Sequence, residues 1–199
     1  MNNKSLKLWE TSALLALCLT LCLGTWANAA SQRLSDGLVR LHVLAVSDEE
    51  EEQAVKLLVR DAVLTYLRPK LESISEPAEA RELLARELPG IAAAAETAAG
   101  GRRVRVTLGR ESYPLRDYGR IRLPAGSYES LRVVLGEGEG HNWWCVVFPP
   151  LCLEAVEETA LRESLSPEDY AAVSGQRGYA LRFWLVDLWG ELKNALAGA

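Results

Sequence analysis

The chain has 199 residues, of which 49% are hydrophobic and 25% charged, and its formal net charge is −5. This length suits one domain with a substantial core. An acidic chain without a concentrated run of lysine and arginine argues against nucleic acid or anionic lipid as the main partner. Motifs of serine hydrolases, zinc proteases and phosphate-binding loops are absent from the sequence, which argues against those classes.

The N-terminus has the pattern of a secretory signal. Two lysines precede an apolar run over Ala13–Gly24, and Ala27–Ala29 fits the small-x-small cleavage pattern. The run is shorter than the roughly 20 residues that span a bilayer comfortably. We therefore predict a signal peptide over residues 1–29 and a single domain over residues 30–199 that works outside the cytoplasm. An uncleaved membrane anchor is the alternative.

The first part of this domain is predicted to be a strand followed by a helix. Residues 31–36 resemble a flexible entry, and apolar residues then alternate over Val39–Val46, which predicts a strand. Ser47 is a natural N-cap, with Glu50 completing a capping box, so we expect a helix over about 48–67. Pro69 should end this helix.

A second helix is predicted over about 77–99, with a break or kink at Pro89-Gly90. Short strands are expected next, at 102–108, 120–123, 130–135 and 144–148. The pattern over 178–197 indicates a strand and then a helix, whose tail at 185–196 carries Trp189 and either packs on the sheet or docks on a membrane. The predicted fold class is α+β: a strand, a helical pair, then a small, mostly antiparallel sheet with a C-terminal helix.

The segment Gly136–Cys152 has the most unusual composition in the chain. It contains three alternating glycines, the adjacent Trp143 and Trp144, a Pro-Pro step and two cysteines. Such a cluster indicates either a structural turn closed by a disulfide or a recognition surface, because tryptophan is rarely left exposed without a role. In an extended segment the two tryptophans point to opposite faces, so one is expected at the surface. The alternative is that loop geometry buries both.

Cys145 and Cys152 favour a disulfide. Cys18 and Cys22 lie in the predicted signal and leave with it, so two cysteines remain in a compartment where disulfides persist. The chain must double back to bring the pair within bridging distance, and the two prolines at 149–150 supply a stiff turn for that reversal.

Two alternatives for the same region stay open. His42 and His141 would complete a Cys2His2 metal site with the cysteines, but the spacing lacks a C-x2-C knuckle, so we predict no metal and a hydrogen-bonded structural role for His42. A secreted cell-wall or peptide hydrolase would use Cys145 as nucleophile with His141 and Glu139.

The segment Leu123–Gly136, continuing into Gly138–Cys152, resembles the stage II sporulation protein R family of endospore-forming bacteria. The likeness covers about residues 38–152, and the Asn-Trp-Trp-Cys block at 142–145 is its most specific part. Supporting pieces are Leu41–Asp48, Lys56–Val63, Tyr113-Pro114 and Tyr118-Gly119. The chain departs from the family pattern with Tyr113 in place of Phe, Ser130 in place of Ala and Val46 in place of Asn.

The resemblance implies a non-enzymatic signalling protein without a cofactor or a small-molecule substrate. It would be made in the forespore and secreted into the space between the two sporulation membranes. Its implied partner is a membrane-embedded aspartic protease of the mother cell, which cleaves the inhibitory pro-sequence from sigma-E. We hypothesise that the 136–152 hairpin holds the partner-binding residues, which are His141, Asn142, Trp143, Trp144 and Phe148.

Overall fold

The computed structural model describes residues 7–117 and 122–150, together with the single residues 152, 167, 170, 173, 188 and 191. The predicted α+β class is confirmed, whereas the strand and helix predicted over 178–197 fall almost wholly outside the described residues. The elements are α1 (Leu8–Asp36), β1 (Val39–Leu44), α2 (Glu50–Leu71), α3 (Pro77–Ala98), β2 (Val104–Tyr113), β3 (Arg116–Asp117), β4 (Arg122–Leu123), β5 (Gly126–Leu135) and β6 (Asn142–Phe148).

Within the described residues, four strands form one sheet in the order β2-β5-β1-β6, and β3 pairs with β4 in a separate ribbon. β1 is parallel to β5 and antiparallel to β6, and β5 is antiparallel to β2. The sheet is therefore mostly antiparallel, as predicted, with one parallel pair. All six residues of β1 are buried because both faces of this central strand are covered.

The core lies mainly between this sheet and the helical pair. Side chains of β1 and β5, such as Leu41 and Val133, pack there with Val63 of α2 and Ile91 of α3. Burial of this apolar face supplies most of the stabilisation. A smaller cluster covers the other face and includes Leu34, Tyr113, Tyr128 and Val146.

The predicted bounds of α2 are wrong at both ends. The N-cap is Glu49 rather than Ser47, because the chain at 45–48 is held in a bent loop by a hydrogen bond from Gln53 Nε2 to the Ser47 carbonyl (2.8 Å). At the other end the helix continues through Pro69 to Leu71. Pro69 removes only one backbone hydrogen-bond donor, in the last turn of α2. The burial of Leu71 (2% exposed) holds this last turn in place.

The break predicted at Pro89-Gly90 is also wrong, because α3 is one continuous helix. Gly90 has a different role: a Cβ at this position would lie 1.9 Å from the Tyr66 hydroxyl oxygen. The glycine therefore lets α2 and α3 approach closely. The predicted end of α3 at Gly100-Gly101 is confirmed, since both residues adopt positive φ.

Residues 31–36 belong to α1 and are not the flexible entry that the sequence predicts. They are ordered because Leu34 packs into the smaller cluster (4% exposed) and Asp36 pairs with Arg110 of β2. α1 is long and apolar enough to cross a membrane, a criterion that a signal sequence near the N-terminus also meets. The boundary after Ala29 stays a prediction.

Candidate functional site

The loop at 136–141 crosses the end of the central strand. β5 and β1 are parallel, so their C-terminal ends lie side by side. At that end of the sheet, Leu44 of β1 is also paired with Asn142 at the start of β6. The segment 136–152 is thus not a hairpin in which β5 and β6 pair, because β1 lies between them. The glycine-rich loop is the bridge over the end of β1.

The glycines make this crossing possible. Gly136 and Gly138 have φ values of 58° and 75°, a region that favours glycine. Gly140 donates its N–H to the Ala45 carbonyl (3.0 Å), and a Cβ there would lie 2.2 Å from the Ser47 carbonyl oxygen. The loop therefore rests directly on the backbone that follows β1.

Polar contacts join the same loop to the start of α2. The backbone N–H of His141 donates to Asp48 Oδ1 (2.6 Å), and its ring also contacts that carboxylate. Lys56, which is 5% exposed, donates from Nζ to the His141 carbonyl (3.0 Å). Burial lowers the pKa of Lys56, although the charge of Asp48 acts in the opposite direction. His141 is thus anchored at its backbone while its side chain stays exposed.

Trp143 lies on the helix-covered face of the sheet. Its ring is half-buried against the main core, and the Arg60 guanidinium of α2 lies 4.4 Å from the ring centroid. This is a cation–π contact between the strand and the helix. The Nε1 donor is buried and has no hydrogen-bond partner among the described residues.

Trp144 lies on the opposite face, which confirms the alternation predicted for this pair. Its ring is 5.5 Å from the His42 ring and 6.2 Å from the Tyr113 ring, and Arg116 lies 3.9 Å above it. Neither tryptophan is fully exposed and neither is fully buried, because each ring carries an arginine on its outer side. The structure thus gives neither one core ring with one surface ring nor two buried rings, because both rings are half-buried.

His42 lies beneath Trp144 and holds a polar network. Its Nδ1 is 2.9 Å from Glu111 Oε1, and its Nε2 is 2.9 Å from Asn142 Oδ1. Ser130 Oγ donates to Glu111 (2.9 Å) and is 2.7 Å from the Tyr113 hydroxyl. The hydrogen-bonded structural role predicted for His42 is confirmed.

Burial and the neighbouring charges shift the pKa of Glu111 in opposite directions. Burial alone would raise the pKa of Glu111, but the hydrogen bonds from His42 and Ser130 and the charges of His42 and Arg132 outweigh it, so the pKa of Glu111 is lowered. Burial raises the pKa of Tyr113. The sequence interpretation missed Glu111 because the apolar alternation of β2 stops at Leu108. The strand nevertheless continues to Tyr113, paired with β5.

A disulfide joins Cys145 and Cys152, with a Cα–Cα distance of 5.4 Å. The predicted pair is present, and both sulfurs are committed to it. His141 contacts Asp48 instead of Cys145. Leu41 is the residue of β1 that is paired with Cys145, so the next residue, His42, points to the opposite face of the sheet. The residues of the metal and hydrolase alternatives are therefore not assembled into a site. Phe148, the last residue of β6, is 2% exposed and belongs to the main core.

The sequence matches the family model for stage II sporulation protein R over residues 35–158. Among curated proteins, it is similar to stage II sporulation protein R of Bacillus subtilis (strain 168), with 37% identity over 141 residues. That alignment covers 66% of this chain and 63% of the relative, so it spans less than two thirds of the relative's length. No solved structure matches the chain significantly.

The matched region contains the four-stranded sheet, both helices that cover it, the glycine bridge and the disulfide. It includes each hypothesised partner-binding residue of β6 and its preceding loop. The chain therefore belongs to the stage II sporulation protein R family.

Proposed function

We propose that this protein is an exported signal made in the forespore, which activates a membrane-embedded aspartic protease of the mother cell. The activated protease would then remove the inhibitory pro-sequence from sigma-E. Family membership over residues 35–158 is the observation that carries this proposal. The apolar N-terminal helix is compatible with export into the space between the two sporulation membranes.

The chemistry of the 136–152 segment favours binding over hydrolysis. The disulfide removes the thiolate that a Cys145 nucleophile would need. The ring of His141 faces the Asp48 carboxylate, so it is not placed to activate that cysteine. A non-enzymatic role is accordingly part of the proposal.

We place the partner-binding surface at the start of β6. His141 and Asn142 are exposed there, and the rings of Trp143 and Trp144 are accessible along part of their surface. A partner that displaces Arg60 or Arg116 would uncover more of either ring. Large aromatic rings in such positions often dominate interface energies. Phe148 lies buried at the opposite end of β6, so we leave it out of this surface.

The test is a sigma-E processing assay reconstituted with purified protein of residues 30–199 and the protease in membranes. The wild-type protein should stimulate processing, and the Trp143→Ala/Trp144→Ala variant should abolish it. Leu58→Ala is the matched control, because Leu58 is an apolar side chain of α2 that is 58% exposed. Circular dichroism and thermal melting check that each variant is folded. A wild-type protein without any effect contradicts the proposed function, and a fully active double variant contradicts the site.

A further inference from the structure

A groove lies between α2 and β6. The two elements run in the same direction, since Lys56 contacts His141 and Arg60 contacts Trp143 one turn later. Beyond these contacts a shallow depression, open to solvent, lies between the two elements. We define this α2–β6 groove by its lining residues, which are Leu64, Leu67, Arg68, Leu71, Val147, Pro150 and Cys152.

One wall of the groove is β6, which lies at the edge of the sheet formed by the described strands. Among the described strands β6 pairs only with β1, so alternate backbone groups along its outer side face away from the sheet. Such an edge accepts an added extended chain, and pockets beside it then select alternate side chains. Pro149 and Pro150 follow β6 and limit strand pairing beyond its end.

The lining combines an apolar floor with a positive rim. Leucines of α2 and Val147 form the floor, and the disulfide closes one end. Arg68 is exposed at the rim and takes part in none of the ion pairs found among the described residues. Arg60 lies two turns earlier on α2, over the Trp143 ring, and its guanidinium pairs with Asp61 (2.7 Å). On a chain with net charge −5, Arg68 thus places a positive charge next to an apolar depression.

We propose that the α2–β6 groove binds an extended segment of the protein partner, which pairs with β6, packs an apolar side chain against the shallow depression and places a carboxylate at Arg68. The inference rests on the proposed function and extends the binding surface from Trp143 along β6 to the disulfide. Strand pairing would supply affinity, and the pocket with Arg68 would supply selectivity.

The first test reverses one charge. Arg68→Glu in the protein of residues 30–199 should lower protease activation about tenfold or more, because a carboxylate of the partner would then meet a like charge. Arg105→Glu is the matched control, since Arg105 is an exposed arginine of β2 at the opposite edge of the sheet. Activation by the control should be unchanged, and both variants should melt like the wild-type protein.

The second test identifies the occupant. A photoreactive benzoylphenylalanine at position 68 should form an adduct with the protease, and mass spectrometry of the adduct should map it to an extended segment that contains aspartate or glutamate. An adduct with residues 153–199 of this chain, or with a second copy of it, would overturn the proposal.

The same assay separates the two levels of the hypothesis. If Arg68→Glu activates the protease as well as the wild-type protein does, the groove assignment is wrong and the proposed function stands. If the wild-type protein itself gives no processing, the proposed function fails, and the groove proposal fails with it.

Discussion

His42 and Asn142 are separated by 100 positions in the sequence, yet His42 Nε2 lies 2.9 Å from Asn142 Oδ1. The other ring nitrogen of His42 reaches Glu111, which also accepts a hydrogen bond from Ser130. These four residues belong to β1, β6, β2 and β5, so the polar network crosses each of the four described strands of the main sheet. It ties the first residue of β6 to the far edge of the sheet.

Glu111 should make the stability of the domain sensitive to acid. Its pKa is lowered in the folded protein, so its contribution is complete above the unfolded-state value of about 4.3 and is lost as the pH falls through the lower folded-state value. We expect the wild-type free energy of unfolding to decrease over this range, and Glu111→Gln to flatten that decrease. Urea denaturation at pH values from 3 to 7 measures both.

Glu139→Gln serves as the control for this experiment. Glu139 is an exposed carboxylate of the glycine-rich loop, so its replacement should leave the pH profile of stability close to that of the wild-type protein. An equal flattening in both variants would show that the acid sensitivity does not come from the His42 network.

Gly140→Ala should destabilise the protein by about 1–3 kcal/mol. The new Cβ would lie 2.2 Å from a backbone carbonyl oxygen, which cannot move aside as a flexible side chain can. Gly109→Ala is the matched control, because a Cβ at Gly109 meets no atom within 4 Å and the residue lies in β2. Chemical denaturation compares the two, and equal stabilities would contradict the role given to the glycine bridge.

Loss of the disulfide should lower stability by about 2–3 kcal/mol, the loop-closure estimate for so short a ring. Cys145→Ser and Cys152→Ser should have similar effects on unfolding and on protease activation, because either change breaks the same bond. A reducing agent should shift the wild-type protein towards the variants. A selective loss of activity with Cys145→Ser alone would instead point to a reactive thiol.

The end of α1 should be part of the folded domain. Leu34 is 4% exposed, so Leu34→Ala in the protein of residues 30–199 should cost about 2–5 kcal/mol. Leu23, which is 49% exposed in α1, offers the comparison in the full chain, where Leu23→Ala should leave thermal stability unchanged. Removal of residues 1–29 should therefore be tolerated, whereas a deletion that extends through Leu34 should destabilise the domain.

Local patterns predicted much of this architecture. The alternation over Val39–Val46, the glycines at 100–101 and the cysteine spacing are short-range features, and the strand, helix end and disulfide they predict are present. The errors fall where tertiary contacts override local preference. Pro69 stays within α2 because Leu71 is buried in the core, and Gly90 serves the packing against Tyr66.

The hydrophobic periods and turn residues of the chain are enough to predict an α+β domain with a disulfide-closed segment that contains two tryptophans. Such patterns can be recognised from the sequence because each involves residues within a few positions of one another. Only the tertiary structure decides that β1 separates β5 from β6 and that His42 meets Glu111 and Asn142. Strand order and these pairings follow from packing and hydrogen bonds between residues distant in the sequence. The same long-range packing sets an arginine on each tryptophan and leaves a groove beside β6.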